Sequence, residues 1–130
     1  MINIPFEKLL FLDIETVGIE PTWEELVKNR PALSFQFEHY FDWFQKRIPE
    51  DADKPISEMF VNRAAIVPEF NKIVCVSVAF VTSAGMNKIQ SFNDPDEKKL
   101  LFDVQKLLQK VGELGFWLCG HNVKGFDIPV

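Results

Sequence analysis

The 130-residue sequence has no surplus of positive charge, no cysteine pair at metal-ligand spacing, no long apolar run and no internal repeat. Fourteen Lys and Arg against nineteen Asp and Glu leave a net charge of −5, with the basic residues scattered along the chain. The phosphate-binding composition of a repressor or histone-like protein is therefore excluded. An enzyme acting on nucleic acid is not, because bound divalent cations supply the positive charge that side chains lack. Cys75 and Cys119 each lie in an apolar stretch and are expected to be reduced core residues. The first thirteen positions carry acidic and polar residues without an apolar h-region, so neither a signal peptide nor a membrane span is expected, and the location is read as cytoplasmic. Without a repeat, a solenoid reading fails.

What the sequence does hold is core material. It is 47% hydrophobic and 25% charged, which suits one soluble globular domain over residues 1–130. Leu9, Leu10, Phe11, Leu12 and Ile14 form a nearly unbroken apolar run, read as a central strand covered on both faces. Three helices are expected next. Thr22 with Glu25 has capping-box spacing for a helix to about Arg30. Phe37, Tyr40, Phe41, Phe44 and Ile48 make one apolar helix face over about Ala32 to Arg47. Ile56 to Ala65 turns Met59, Phe60 and Ala64 inward.

Lys72 to Thr82 alternates through Val74, Val76, Val78 and Phe80 as a second strand, and Met86 to Phe92 returns antiparallel as a third. Asp94-Pro95-Asp96-Glu97 combines an N-cap, Pro at N1 and a capping-box Glu for a helix running to Gly112. Phe116 to Cys119 then suits a crossover strand parallel to the first. The expected fold is α/β: three antiparallel strands, a helix and a parallel strand, with a helical insertion between strands 1 and 2.

Chemistry concentrates at two strand ends. The i, i+2 spacing of Asp13 and Glu15 puts both carboxylates on one face of the first strand. Gly120-His121-Asn122-Val123-Lys124-Gly125-Phe126-Asp127 follows the fourth strand, where α/β sheets place ligands. With the two strands parallel and adjacent, Asp13, Glu15 and Asp127 converge on one cleft. Two carboxylates about 4 Å apart repel by roughly 4 kcal/mol at an effective dielectric near 20, so such a cluster calls for a cation. Oxygen-only ligands select Mg²⁺ or Mn²⁺, and the chemistry that two such ions serve best is phosphodiester cleavage.

These residues resemble the DEDD superfamily of 3′→5′ exonucleases, which have a ribonuclease H-like fold. Phe11-Leu12-Asp13-Ile14-Glu15-Thr16 looks like the first exonuclease motif, and Asn122-x-x-x-Phe126-Asp127 like the second, in the form used by proofreading domains of family B DNA polymerases. Pro68-Glu69-Phe70 is similar to the corresponding stretch of predicted stand-alone exonucleases related to that domain. The resemblance implies that Asp13 bridges two metal ions, that Glu15 holds the ion carrying the nucleophilic water, and that Asp127 holds the other. It implies contacts to the terminal nucleotide from Thr16, Asn122 and Phe126. The partner so implied is a nucleic-acid 3′ end, single-stranded DNA first, with Mg²⁺ or Mn²⁺ as cofactor.

The family's third motif, a Tyr or His followed four residues later by Asp, does not occur after Asp127. The expectation is a C-terminally truncated domain, weak or inactive alone, whose fourth strand is an exposed edge prone to self-association. Two alternatives stand beside the exonuclease: a catalytically silent nucleic-acid- or protein-binding module on the same fold, and a ribonuclease H-type or RNA-trimming nuclease sharing the first motif.

Overall fold

Alternation along the first strand decides how the sheet is built. In the computed structural model, which describes residues 4–82, 84–85 and 87–121, β1 spans Leu9–Gly18. Leu10 and Leu12 are buried and Ile14 packs beside them, while Asp13, Glu15 and Val17 on the other face are exposed and Phe11 is half-buried. Among the described residues the first strand is covered by a helix on one face, with Phe6 against Phe11 on the other, which differs from the expectation of a strand buried on both. The cover is a single helix, α4 (Glu97–Glu113), whose Leu100 and Val104 are buried against Leu10, Leu12, Val76 and Val78.

β2 (Asn71–Val81) and β3 (Asn87–Asn93) pair antiparallel in the register Ser77↔Ser91 and Ala79↔Ile89. β4 (Trp117–Cys119) pairs parallel with β1, Leu9↔Trp117 through Phe11↔Cys119. The described strands form one mixed sheet in the order β3-β2-β1-β4, α/β in class as expected, with β4 at an edge. In β2 the buried set is Ile73, Val76 and Val78 rather than a strict alternation from Val74. Both cysteines are free thiols, half-buried rather than fully in the core.

The chain divides into two compact units: residues 1–15 with 73–130, and residues 16–72. The second is the helical insertion. Its α1 (Trp23–Asn29) starts at Thr22, whose Oγ1 accepts the Glu25 N–H at 3.2 Å. Pro31 opens α2 (Pro31–Arg47), and α3 (Ile56–Arg63) follows. The expected inward faces hold: Phe37, Phe44, Met59, Phe60 and Ala64 are buried, with Tyr40, Phe41 and Ile48 packed against them. Phe37 meets Phe60 and Phe70 edge to face at 5.1 and 5.0 Å between ring centres. Asp51, fully buried, is held between Arg63 at 2.8 Å and Lys54 at 3.2 Å. Those two cations compensate a carboxylate that burial alone would penalise.

Both ends of α4 are fixed by specific hydrogen bonds. The N-cap is Asp96, whose carboxylate accepts the Lys98 N–H at 3.0 Å, not Asp94 as the spacing suggests. Asp94 instead accepts the Asp96 N–H at 2.9 Å in a turn and pairs with Lys99. Glu97 reaches away from the cap to the Ile73 N–H. At the other end Gly115, at φ 72°, closes a Schellman motif: Phe116 N–H bonds the Val111 carbonyl and Gly115 N–H the Gly112 carbonyl, each at 3.0 Å. Phe116 and Val111 both pack on the sheet core. This turn sends the chain straight from α4 into β4. Among the described residues, no helix is long and apolar enough to cross a membrane.

Candidate functional site

The face of the sheet opposite α4 carries polar residues. Phe11 and Asp13 from β1, Ser77 and Ala79 from β2, Ile89 from β3 and His121 after β4 line a groove of about 240 Å³. Each is there for a periodic reason. Asp13 lies out of phase with Leu10 and Leu12, and Ser77 out of phase with Val76 and Val78. The β2–β3 register then sets Ser77 opposite Ser91, whose hydroxyls are 2.9 Å apart. Gly120 and His121, directly after β4, line the same groove as Asp13.

Asp13 and Glu15 are both exposed on this face of β1. Two residues apart on one strand, their Cα atoms are separated by about 7 Å, a spacing that side-chain oxygens can bridge through a hydrated cation. Neither takes part in an ion pair among the described residues. The donor set is therefore two uncommitted carboxylates, oxygen-only and suited to Mg²⁺ or Mn²⁺. No group of three or more His, Cys, Asp and Glu able to hold a metal occurs among the described residues. Asp127, the third expected ligand, lies outside those residues, as do Asn122 and Phe126.

Thr16 follows on the opposite phase of the strand. Its hydroxyl is half-buried and donates to the Ala65 carbonyl at 2.6 Å, within the helical unit. Asn71 Nδ2 donates to the same carbonyl at 3.0 Å.

Comparison with protein-family models, with curated proteins and with solved structures gives no match to this chain. The chemistry of the site rests on its own residues.

Two groove residues were not singled out by sequence reasoning. Ser77 sits in the middle of a strand that reads as core, and only its pairing with β3 shows that its face is open. His121 reads as a surface residue beside a glycine; the parallel pairing of β4 with β1 is what brings the residues after β4 into the groove that Asp13 lines. Together the groove offers the Asp13 carboxylate, the Ser77 hydroxyl, the His121 imidazole and an apolar wall of Phe11 and Ile89.

Proposed function

We propose that this chain is the ribonuclease H-like part of a metal-dependent 3′→5′ exonuclease that hydrolyses phosphodiester bonds at nucleic-acid 3′ ends, single-stranded DNA being the first candidate substrate. The observation that carries the reading is the position of Asp13. It shares an exposed strand face with Glu15, and it lines one groove with His121, which directly precedes the Asn122-x-x-x-Phe126-Asp127 motif. A sheet with β1 inside and β4 parallel to it supports the ribonuclease H-like assignment.

In this proposal Asp13 and Glu15 hold the divalent cations, and Asp127 is a third ligand. A bound Mg²⁺ or Mn²⁺ supplies charge against the phosphate and lowers the pKa of a coordinated water. Ser77 and His121 offer hydrogen-bond donors to the phosphate oxygens, and Phe11 with Ile89 forms an apolar surface for the terminal nucleoside. Thr16, Asn122 and Phe126 are the proposed contacts to that nucleotide.

Metal titration followed by thermal unfolding tests this. An ion at 100 times its Kd adds about 2.7 kcal/mol to folding stability, enough to raise Tm measurably. Millimolar Mg²⁺ or Mn²⁺ should raise the wild-type Tm, and Asp13→Asn or Glu15→Gln should remove the shift. A 5′-labelled single strand incubated with Mn²⁺ should shorten from its 3′ end slowly at most, since the family's third motif does not occur after Asp127. Absence of a metal shift in the wild type would transfer the assignment to a silent binding module on the same fold.

A further inference from the structure

The helical insertion holds a cleft of its own, which the proposed nuclease chemistry does not use. It measures about 540 Å³ and is lined by Tyr40, Trp43 and Phe44 of α2 and by Ile66, Pro68 and Glu69 from the stretch between α3 and β2. That volume lies in the range of small-ligand sites. The walls are aromatic and aliphatic, and Glu69 is the one carboxylate among the described residues that line them. Glu69 Oε1 accepts the Tyr40 hydroxyl at 3.2 Å, and Glu69 takes part in no ion pair among the described residues. Burial, with the Glu69 charge beside it, pushes the Tyr40 hydroxyl above its ordinary value of 10.0, which keeps it a donor. Two rings of the wall already engage cations: the Arg47 guanidinium lies over Trp43 at 5.4 Å and that of Arg63 over Phe44 at 5.9 Å. Arg63 is paired with Asp51, whereas Arg47 has no carboxylate partner among the described residues.

We propose that this cleft binds a quaternary N-methylammonium group, with the Trp43 and Tyr40 rings as its walls and Glu69 as its counter-charge. The donor set selects that chemistry by elimination. A neutral apolar guest would take water from the Glu69 carboxylate and bring no charge in return. An anion would meet the same carboxylate as a like charge. A bare ammonium or a guanidinium brings several N–H donors, whereas the side-chain acceptors lining the cleft are Glu69, already bonded to Tyr40, the Tyr40 oxygen itself and the His39 imidazole. A fully methylated nitrogen has no N–H to satisfy, and its spread charge is attracted by ring faces. Trp43, 47% exposed, leaves ring surface for such a guest. Arg47 is the competitor within the chain, since it engages the same ring and its like charge opposes the guest.

Choline titrated into the full chain, followed by the indole N–H resonances, tests the site. The Trp43 signal should move and saturate at millimolar choline, while that of Trp23, packed in the core of the same unit, stays in place and reports an intact fold. Dimethylbutanol, the uncharged carbon isostere of choline, should bind about 5-fold more weakly or worse. Glu69→Gln should weaken choline about 2- to 5-fold, as expected for an exposed counter-charge. Arg47→Ala should instead tighten it about 2-fold or more, a gain that loss of fold cannot produce. A peptide carrying one trimethyllysine, set against its unmodified lysine form, distinguishes a protein side chain from a free small molecule as the source of the group. A Trp43 signal that choline leaves unmoved overturns the proposal. So does an isostere that binds as tightly as choline, or a choline affinity that neither Glu69→Gln nor Arg47→Ala changes. The readout needs no divalent metal and no nucleic acid, so its failure and that of the nuclease reading are distinguishable.

Discussion

Glu97 Oε1 accepts the backbone N–H of Ile73 at 2.7 Å, tying the first residue of α4 to the start of β2. Ile73 is buried, and its N–H would otherwise lie unpaired beside the core. Glu97→Ala should lower the unfolding free energy by about 1–3 kcal/mol, and Glu97→Gln, which keeps an acceptor, by less. Urea denaturation of the three proteins measures the difference; equal loss in both variants would show that the helix end rather than this bond is at stake.

Gly115 holds a left-handed conformation at the end of α4, and a Cβ added there would meet no atom within 4 Å. The cost of a side chain is therefore conformational, not steric crowding. Gly115→Ala should cost about 1 kcal/mol, and Gly115→Asn, which tolerates that region better, should cost less. Thermal unfolding gives the ranking. Because this turn launches β4, amide exchange at Phe116 should report the same order.

Acid should release the Asp51 cluster. The Arg63 guanidinium holds the Asp51 carboxyl below its ordinary value of 3.8, with Lys54 assisting and burial opposing. A carboxyl whose pKa is lower in the folded chain contributes stability above its unfolded value, and the contribution disappears as pH falls through the folded one. Stability should therefore fall below about pH 4, and Asp51→Asn should be less stable at neutral pH while losing part of that acid dependence. A pH series of urea midpoints for the two proteins checks both statements; parallel curves would contradict them.

Legibility from sequence followed the range of the interaction. Thr22 capping α1 and the face of Phe37, Tyr40, Phe41 and Phe44 are written in residues one turn apart, and the structure follows them. At Asp94-Pro95-Asp96-Glu97 three carboxylates competed for one cap. Asp96 caps the helix, Asp94 accepts the Asp96 N–H, and Glu97 takes the Ile73 N–H, a partner 24 positions away.

The site divides in the same way. That Asp13 and Glu15 share a face follows from the two-residue period of a strand and needs nothing beyond the sequence. Whether that face is open depends on how many helices cover the sheet. Leu9 to Ile14 reads equally well as a strand buried on both sides; among the described residues α4 packs on one side, and Phe11, Asp13, Ser77 and Ile89 line a groove on the other. The sequence by itself determined the helix stripes, the strand periods and the paired carboxylates, because local backbone geometry sets them. Only the tertiary structure decided which neighbours share the groove, since His121 and Ser77 reach Asp13's groove through strand order and register, which no short stretch of residues encodes.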